Sequence, residues 1–131
     1  KAKSLGLKPL ARVHTAVLAG ADPVMMHSAP IPATQKALAK SGLSVSDIGV
    51  FEVNEAFAAV GLVSAEKLGA PHEKVNVNGG AIAIGHPVGA SGARLVLHMA
   101  YELNRRGGGI GVAALCGGGG QGSALGLKVS K

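Results

Sequence analysis

Three polar residues sit where apolar runs end: Asn54 after Val50-Phe51-Glu52-Val53, His86 between Gly85 and Pro87, and Cys116 between Ile110–Leu115 and the glycines 117–120. Together they offer a carboxamide, an imidazole and a thiol. His86 precedes a helix expected to open at Pro87, where unpaired backbone N–H groups and the positive end of the helix dipole favour the neutral ring. A neutral imidazole takes a proton from a nucleophile or donates a hydrogen bond to a developing oxyanion. It can equally be a loop histidine satisfied by neighbouring backbone. The glycines after Cys116 expose N–H groups beside the thiol, an arrangement able to lower its pKa and to bind an oxyanion. The alternative is a buried structural cysteine in a tight hairpin. Asn54 is either an ordinary helix cap followed by a first-turn acid, Glu55, or a carboxamide that holds water or donates to a substrate oxygen. Gly117, Gly119 and Gly122 formally satisfy G-x-G-x-x-G. That fingerprint must open a helix and be followed by an acid about twenty residues on, whereas here the remaining residues alternate like a strand. The histidines at 14, 27, 72, 86 and 98 have no paired ligand spacing with one another or with Cys116, so no metal site is expected.

Alternation and apolar runs give the elements that must position these groups. Strands are expected over Arg12–Leu18, Val50–Val53, Val75–Val77, Ile110–Leu115 and Leu125–Val129. Helices are expected from Pro30 to Lys40, from a cap at Asn54 to Gly69, and from Pro87 to about Arg106. Met25 and Met26 lie in a connection and read as core filler. In the second helix Phe57, Val60, Gly61 and Leu68 form the inner face. In the last helix Ala93, Val96, Ala100 and Leu103 fall on an apolar stripe, and Arg94, His98, Glu102 and Arg105 or Arg106 on a polar one. Its first turns, Gly89 to Ala93, carry almost no side-chain volume, so something must pack close to them. Ser44 and Asp47 have capping-box spacing for one short turn. Lys1 to Gly6 reads as the tail of a preceding helix, residues 1–11 as linker and 12–131 as the domain. The absence of an initiator Met points to further sequence upstream. Right-handed crossovers make the first four strands parallel, and the short glycine link makes the fifth antiparallel to the fourth. The fold class is therefore α/β, a five-stranded mixed sheet with helices on both faces. In such sheets chemistry gathers beyond the carboxyl ends of the strands, where Asn54, Gly79–His86 and Cys116–Gly122 all fall.

Composition narrows the class. The chain has 131 residues, enough for one domain with a real core, and 47% are apolar although Phe51, Phe57 and Tyr101 are the only aromatics. Ala, Val, Leu and Ile must build that core, alongside 21 glycines, which suits tightly packed helix and parallel-sheet layers. No apolar run is long enough for a membrane span and no signal-peptide pattern opens the chain, so a soluble, cytoplasmic protein without a membrane partner is expected. A single cysteine excludes an internal disulfide framework. The net charge of +6 comes from scattered lysines rather than a basic stripe. Nucleic acid is not an expected partner, whereas a phosphate-bearing anion is.

Three segments, taken together, carry a family likeness. They are Asn-Glu-Ala-Phe-Ala at 54–58, Gly79-Gly80-Ala81-Ile82-Ala83-Ile84-Gly85-His86-Pro87 continuing through Gly89-Ala90-Ser91-Gly92-Ala93-Arg94, and Cys116 with its glycines. On these the chain resembles, over essentially its whole length, the C-terminal domain of thiolases, acyltransferases that make or cleave 3-oxoacyl-CoA. The resemblance implies that His86 activates the acyl-accepting nucleophile and, with a water held by Asn54, stabilises the enolate oxygen of acetyl-CoA. It implies that Cys116 is the acid/base, that the Gly118 N–H contributes to an oxyanion hole, and that Ala56 and Phe57 line the acyl pocket. It implies that the Gly89–Ala93 helix is buried between two similar halves. It further implies no cofactor, coenzyme A thioester being substrate, and partners in an N-terminal half and a homo-oligomer of the full-length protein. The nucleophilic cysteine of that half is absent here, and His27-Ser28-Ala29 stands where the family is usually glycine-rich. Two other readings are a naturally separate thiolase-fold subunit that is non-catalytic or complements a partner, and a related decarboxylating condensing enzyme. The latter usually carries its only cysteine as nucleophile in the first half.

Overall fold

Four of the five expected strands form, and the helices flank them on both faces. The computed structural model describes residues 1–130. In chain order the elements are β1 (Arg12–Gly20), α1 (Pro30–Ser41), β2 (Val50–Val53), α2 (Ala58–Leu68), α3 (Ala81–Ile84), α4 (Ser91–Arg105), β3 (Gly109–Gly117) and β4 (Gln121–Val129). The sheet order is β1-β4-β3-β2, with β2 parallel to β3 and β4 antiparallel to both β3 and β1. Thus β1, β2 and β3 share one direction, and the antiparallel strand, as expected, is the last. It inserts between β1 and β3.

The missing strand is Val75–Val77, which contributes a single parallel bridge from Val75 to Phe51. Asn76 is the cause. It adopts a left-handed backbone, φ 48°, which breaks extension, and its side chain then takes over the ladder. Asn76 N–H donates to Phe51 O at 2.8 Å, Val53 N–H donates to Asn76 Oδ1 at 2.9 Å, and Asn76 Nδ2 donates to Val53 O at 2.9 Å. One carboxamide thus supplies both bonds that a strand neighbour of Val53 would have made.

Three other expectations need correction. Residues 3–5 form a 3₁₀ turn rather than the end of an α-helix. Asn54 does not cap α2: it extends the β2 ladder by one residue, its N–H donating to Ala114 O at 2.9 Å, and α2 starts after Phe57. The last helix starts at Ser91 instead of Pro87, and residues 81–84 form the short α3 before it. The Ser44–Asp47 capping box forms as read, and α1 and α2 stop at Gly42 and Gly69.

The sheet is covered unequally. On one face α1 and α2 bury Ala33, Ala37, Leu38 and Leu68 against Val17, Phe51, Val112, Ala114 and Ala124. On the other, α4 buries Leu95, Met99 and Leu103 against Val50, Ala113 and Leu127. The buried line of α4 runs through Ser91, Leu95, Met99 and Leu103; of the expected stripe Ala100 and Leu103 are buried and Val96 packs against the core, whereas Ala93 is exposed and Glu102, expected on the polar stripe, is buried. Arg94 and His98, expected to face outward, are drawn toward Glu52 on β2. Among the described residues no segment covers the bare first turns, since Gly89, Ala90 and Ala93 remain exposed. No helix among the described residues is long and apolar enough to cross a membrane.

Candidate active site

Asn54 is the fixed point of the site. Its backbone is locked into the ladder beside Ala114, two residues before Cys116, and its side chain is 0% exposed. The carboxamide reaches two segments at once: Nδ2 lies 3.4 Å from His86 Nε2, and Oδ1 lies 3.5 Å from Arg94 Nη2. Both contacts are long. On the other side of the ring, His86 Nδ1 is 2.5 Å from Ser91 Oγ, and Ser91 Oγ donates to Pro87 O at 3.1 Å.

This chain of partners fixes the tautomer of the neutral ring from both ends. Pro87 O only accepts, so with the Ser91 hydroxyl donating to it the Ser91 oxygen is left to accept from His86 Nδ1–H. Arg94 only donates, so the carboxamide atom facing it is the oxygen, and Nδ2–H points to a His86 Nε2 that carries a lone pair. The two ends agree. His86 therefore presents Nε2 as a base.

Glu55 ties the loop that carries His86 to β2. Its carboxylate accepts from Asn76 Nδ2 at 2.8 Å and from the Ile82 N–H, in the first turn of α3, at 3.0 Å. A side chain at Gly80 would push this carboxylate aside and break its hydrogen bonds to Asn76 and Ile82.

Cys116, one residue before the end of β3, lies opposite Gly122 of β4 and is half-buried in a small cleft of about 160 Å³ with Leu18, Gln121 and Ser123. Burial pushes its thiol up, against the weaker lowering by a backbone hydrogen bond. The shift runs opposite to the lowering that the glycine N–H groups were able to give and agrees with the alternative of a cysteine buried in a hairpin. That turn is only Gly118–Gly120. Gly118 is exposed, its carbonyl accepting from Gln121 Nε2 at 3.0 Å. Ala56 is half-buried, and Phe57 is 56% exposed with its ring edge-on to His27 at 4.7 Å. Phe57 therefore leaves the inner face of α2 expected for it. The structure joins Asn54 directly to His86, while Cys116 and Gly118 share the β3–β4 hairpin at the same sheet edge.

Ser91, Arg94 and Glu52 were not among the expected site residues. Glu52 is 0% exposed, with Oε2 3.6 Å from Arg94 Nη1 and 3.6 Å from His98 Nδ1. Burial raises its carboxyl to about 7, against the lowering by Arg94 and with smaller raising effects from Glu102 and Glu55. A carboxylate inside the apolar run Val50–Val53 was the signal available in the sequence.

The family model for the thiolase C-terminal domain matches residues 7–129. Acetyl-CoA acetyltransferase of Syntrophomonas wolfei is 54% identical over 127 residues, 95% of this chain and 32% of that protein. The cytosolic acetyl-CoA acetyltransferase of Rattus norvegicus is 54% identical over 95% of this chain and 32% of its own length. Human mitochondrial 3-ketoacyl-CoA thiolase superposes with a TM-score of 0.95 at 45% identity, covering 99% of this chain and 33% of that one; a second structure of the same enzyme is a complex with CoA. The chain thus spans about a third of these relatives. With a family match across nearly all its length and the same backbone at 45% identity, the chain belongs to the thiolase family, as a C-terminal domain.

Proposed function

We propose that this chain is the C-terminal catalytic half of a thiolase, an acyltransferase that forms or thiolytically cleaves 3-oxoacyl-CoA with a nucleophilic cysteine supplied by an N-terminal half. The observation that carries the reading is the convergence of His86 Nε2 on the buried Asn54 at the sheet edge where β3 carries Cys116. In this reading Nε2 takes the proton of the nucleophilic thiol of the N-terminal half, which attacks the thioester carbonyl of acetyl-CoA in condensation, expelling the CoA thiolate, or the 3-oxo carbonyl in thiolysis, breaking the C–C bond and expelling the acetyl-CoA enolate. The second hydrogen of Asn54 Nδ2 holds a water that, with the protonated Nε2, stabilises the enolate oxygen of acetyl-CoA. Cys116 exchanges the proton at the acetyl carbon. In thiolysis its thiol gives that proton to the enolate released by C–C cleavage, and in condensation its thiolate removes it. A thiol pushed up by burial rests in the protonated form that thiolysis needs. Gly118 N–H serves the oxyanion of the acylated nucleophile, Ala56 and Phe57 border the acyl group, and coenzyme A thioester is substrate rather than resident cofactor.

The test is reconstitution. Alone, the chain is expected to leave acetoacetyl-CoA intact in the presence of CoA; mixed with, or fused behind, the N-terminal half of a bacterial acetyl-CoA acetyltransferase, it is expected to restore cleavage. His86→Ala in the reconstituted protein should lower kcat by about 10³-fold or more, the loss typical of removing a positioned base. Cleavage by the isolated chain, or full activity of the His86→Ala assembly, would overturn the reading.

A further inference from the structure

We infer that Arg94, seated on the buried carboxylate of Glu52, is a positioning residue that sets the orientation of the Asn54 carboxamide and thereby the tautomer of His86. The inference deepens the proposed site and rests on His86 and Asn54 being its working groups.

An asparagine carboxamide has two ends of nearly equal size, and packing alone does not choose between them. At Asn54 the choice decides the chemistry: Nδ2 toward His86 leaves Nε2 a lone pair, whereas Oδ1 toward His86 demands a proton there. Arg94 settles it, because a guanidinium has only donors and stands 3.5 Å from Oδ1. Ser91 supports the same tautomer at the far nitrogen, and Arg94 is the group that enforces it at the near one.

The surroundings of Arg94 fit positioning better than simple stability. Its side chain is 18% exposed and points inward from α4 to Glu52, which is 0% exposed. Glu52 Oε1 and Oε2, Arg94 Nε and Nη1, and His98 Nδ1 are all buried without a hydrogen-bond partner. A buried ion pair left so incompletely satisfied is a poor contributor to stability, and an apolar pair of similar volume would commonly do as well or better. What an apolar pair cannot supply is a donor beside Asn54 Oδ1. Besides Arg94, the charged or titratable groups facing Glu52 are His98 and Glu102 of α4 and Glu55 beyond the end of β2. Arg94 is thus the guanidinium between the carboxylate and the carboxamide.

The test reads the tautomer directly, without any acyl-CoA reaction. Two-bond ¹H–¹⁵N correlation spectra of the ¹⁵N-labelled 131-residue chain, recorded above the titration range of its histidines, distinguish a protonated from a bare ring nitrogen. The wild type is expected to show His86 with Nδ1 protonated and Nε2 bare; the opposite pattern overturns the inference. Arg94→Met, which keeps length without donors, should raise the minor tautomer about fivefold, the change carried by a hydrogen bond of about 1 kcal/mol. Arg94→Lys should restore most of the wild-type pattern. An Arg94→Met chain with an unchanged tautomer overturns the inference. If Arg94→Met gives no dispersed spectrum, Glu52→Gln decides: loosening the seat of Arg94 should yield mixed tautomers, and a wild-type pattern overturns the proposal. Failure of reconstituted thiolysis with the expected tautomer intact would instead count against the acyltransferase reading.

Discussion

Glu52 is where chemistry and stability pull apart. Its carboxyl is held at about 7 in the folded chain against an ordinary 4.5, chiefly by burial. Between those values the folded state binds more protons than the unfolded one, so stability falls as pH rises through this window. The full span corresponds to a loss on the order of 3 kcal/mol. Asp47 and Glu102 act in another window. Hydrogen bonds from the Ser44 side chain and backbone lower Asp47, with burial opposing. At Glu102 burial raises the carboxyl, but the Asn78 and Arg106 hydrogen bonds and the charges of Arg106 and Arg105 outweigh it. Their contributions are lost only on acidification below the ordinary carboxylate range. Urea midpoints at pH 5 and pH 8 should therefore show the wild type less stable at pH 8, and Glu52→Gln should flatten most of that difference. A slope unchanged by Glu52→Gln would mean that another group titrates.

At the scale of elements, Asn76 is the residue on which the loop carrying His86 turns. It replaces a strand with one carboxamide, bonded to Val53 N–H, Val53 O and Glu55. Asn76→Ala removes these bonds and puts a β-carbon side chain without compensation at φ 48°, so a loss of about 2–4 kcal/mol is expected in urea unfolding. Asn76→Gly loses the same bonds but tolerates the backbone, and should be less damaging by up to about 1 kcal/mol. Equal midpoints for both variants would show that the backbone conformation contributes nothing. A second element rests on close approach: in β4, a side chain at Gly122 would overlap the Ala29 carbonyl just before α1. Gly122→Ala should destabilise by at least about 1–3 kcal/mol, as overpacking does, and shift backbone resonances at Ala29 and Cys116.

These two residues also mark what periodicity can and cannot convey. Alternation and apolar runs located β1 to β4, and Gly42 and Gly69 marked the stops of α1 and α2. The fifth strand failed because Val75-Asn76-Val77 alternates correctly while a side chain, invisible to a hydropathy pattern, does the pairing. β4 was expected to begin at Leu125, since the glycine run up to Gly122 reads as a short link, yet Gly122 is glycine because another segment lies on it. In the site, Asn54, His86 and Cys116 were legible because unusual residues stand at strand ends. Ser91 and Arg94 were not, because on a helix they look like a small residue and a solvated charge until Glu52 draws the helix face inward.

At the scale of the whole molecule, the sheet is only partly covered on the α4 side. A groove of about 780 Å³ opens there along β1, β3 and β4, bordered by Leu18, Val96, Leu115 and Leu125 and by Gly92 at the start of α4. Leu18 is 74% exposed, and the bare turn at Gly89 and Ala93 continues the surface. The outer edge is protected differently, with Lys36 Nζ donating to Leu18 O at 2.9 Å and Lys40 Nζ to Ala16 O at 3.4 Å. Lysines on an edge strand oppose further strand pairing, so association is expected through the apolar face and not by sheet extension. Sedimentation velocity should show the isolated chain associating as its concentration rises. Opposing that association is the net charge of +6, so added salt should strengthen it by screening like-charge repulsion. Leu18→Glu places a charge in the groove at an exposed position and should weaken association about tenfold or more, the value of a buried leucine, without moving the urea midpoint of the monomer. A chain that stays monomeric across the accessible concentration range, or association that salt dissolves, would mean that the groove is not what brings copies together.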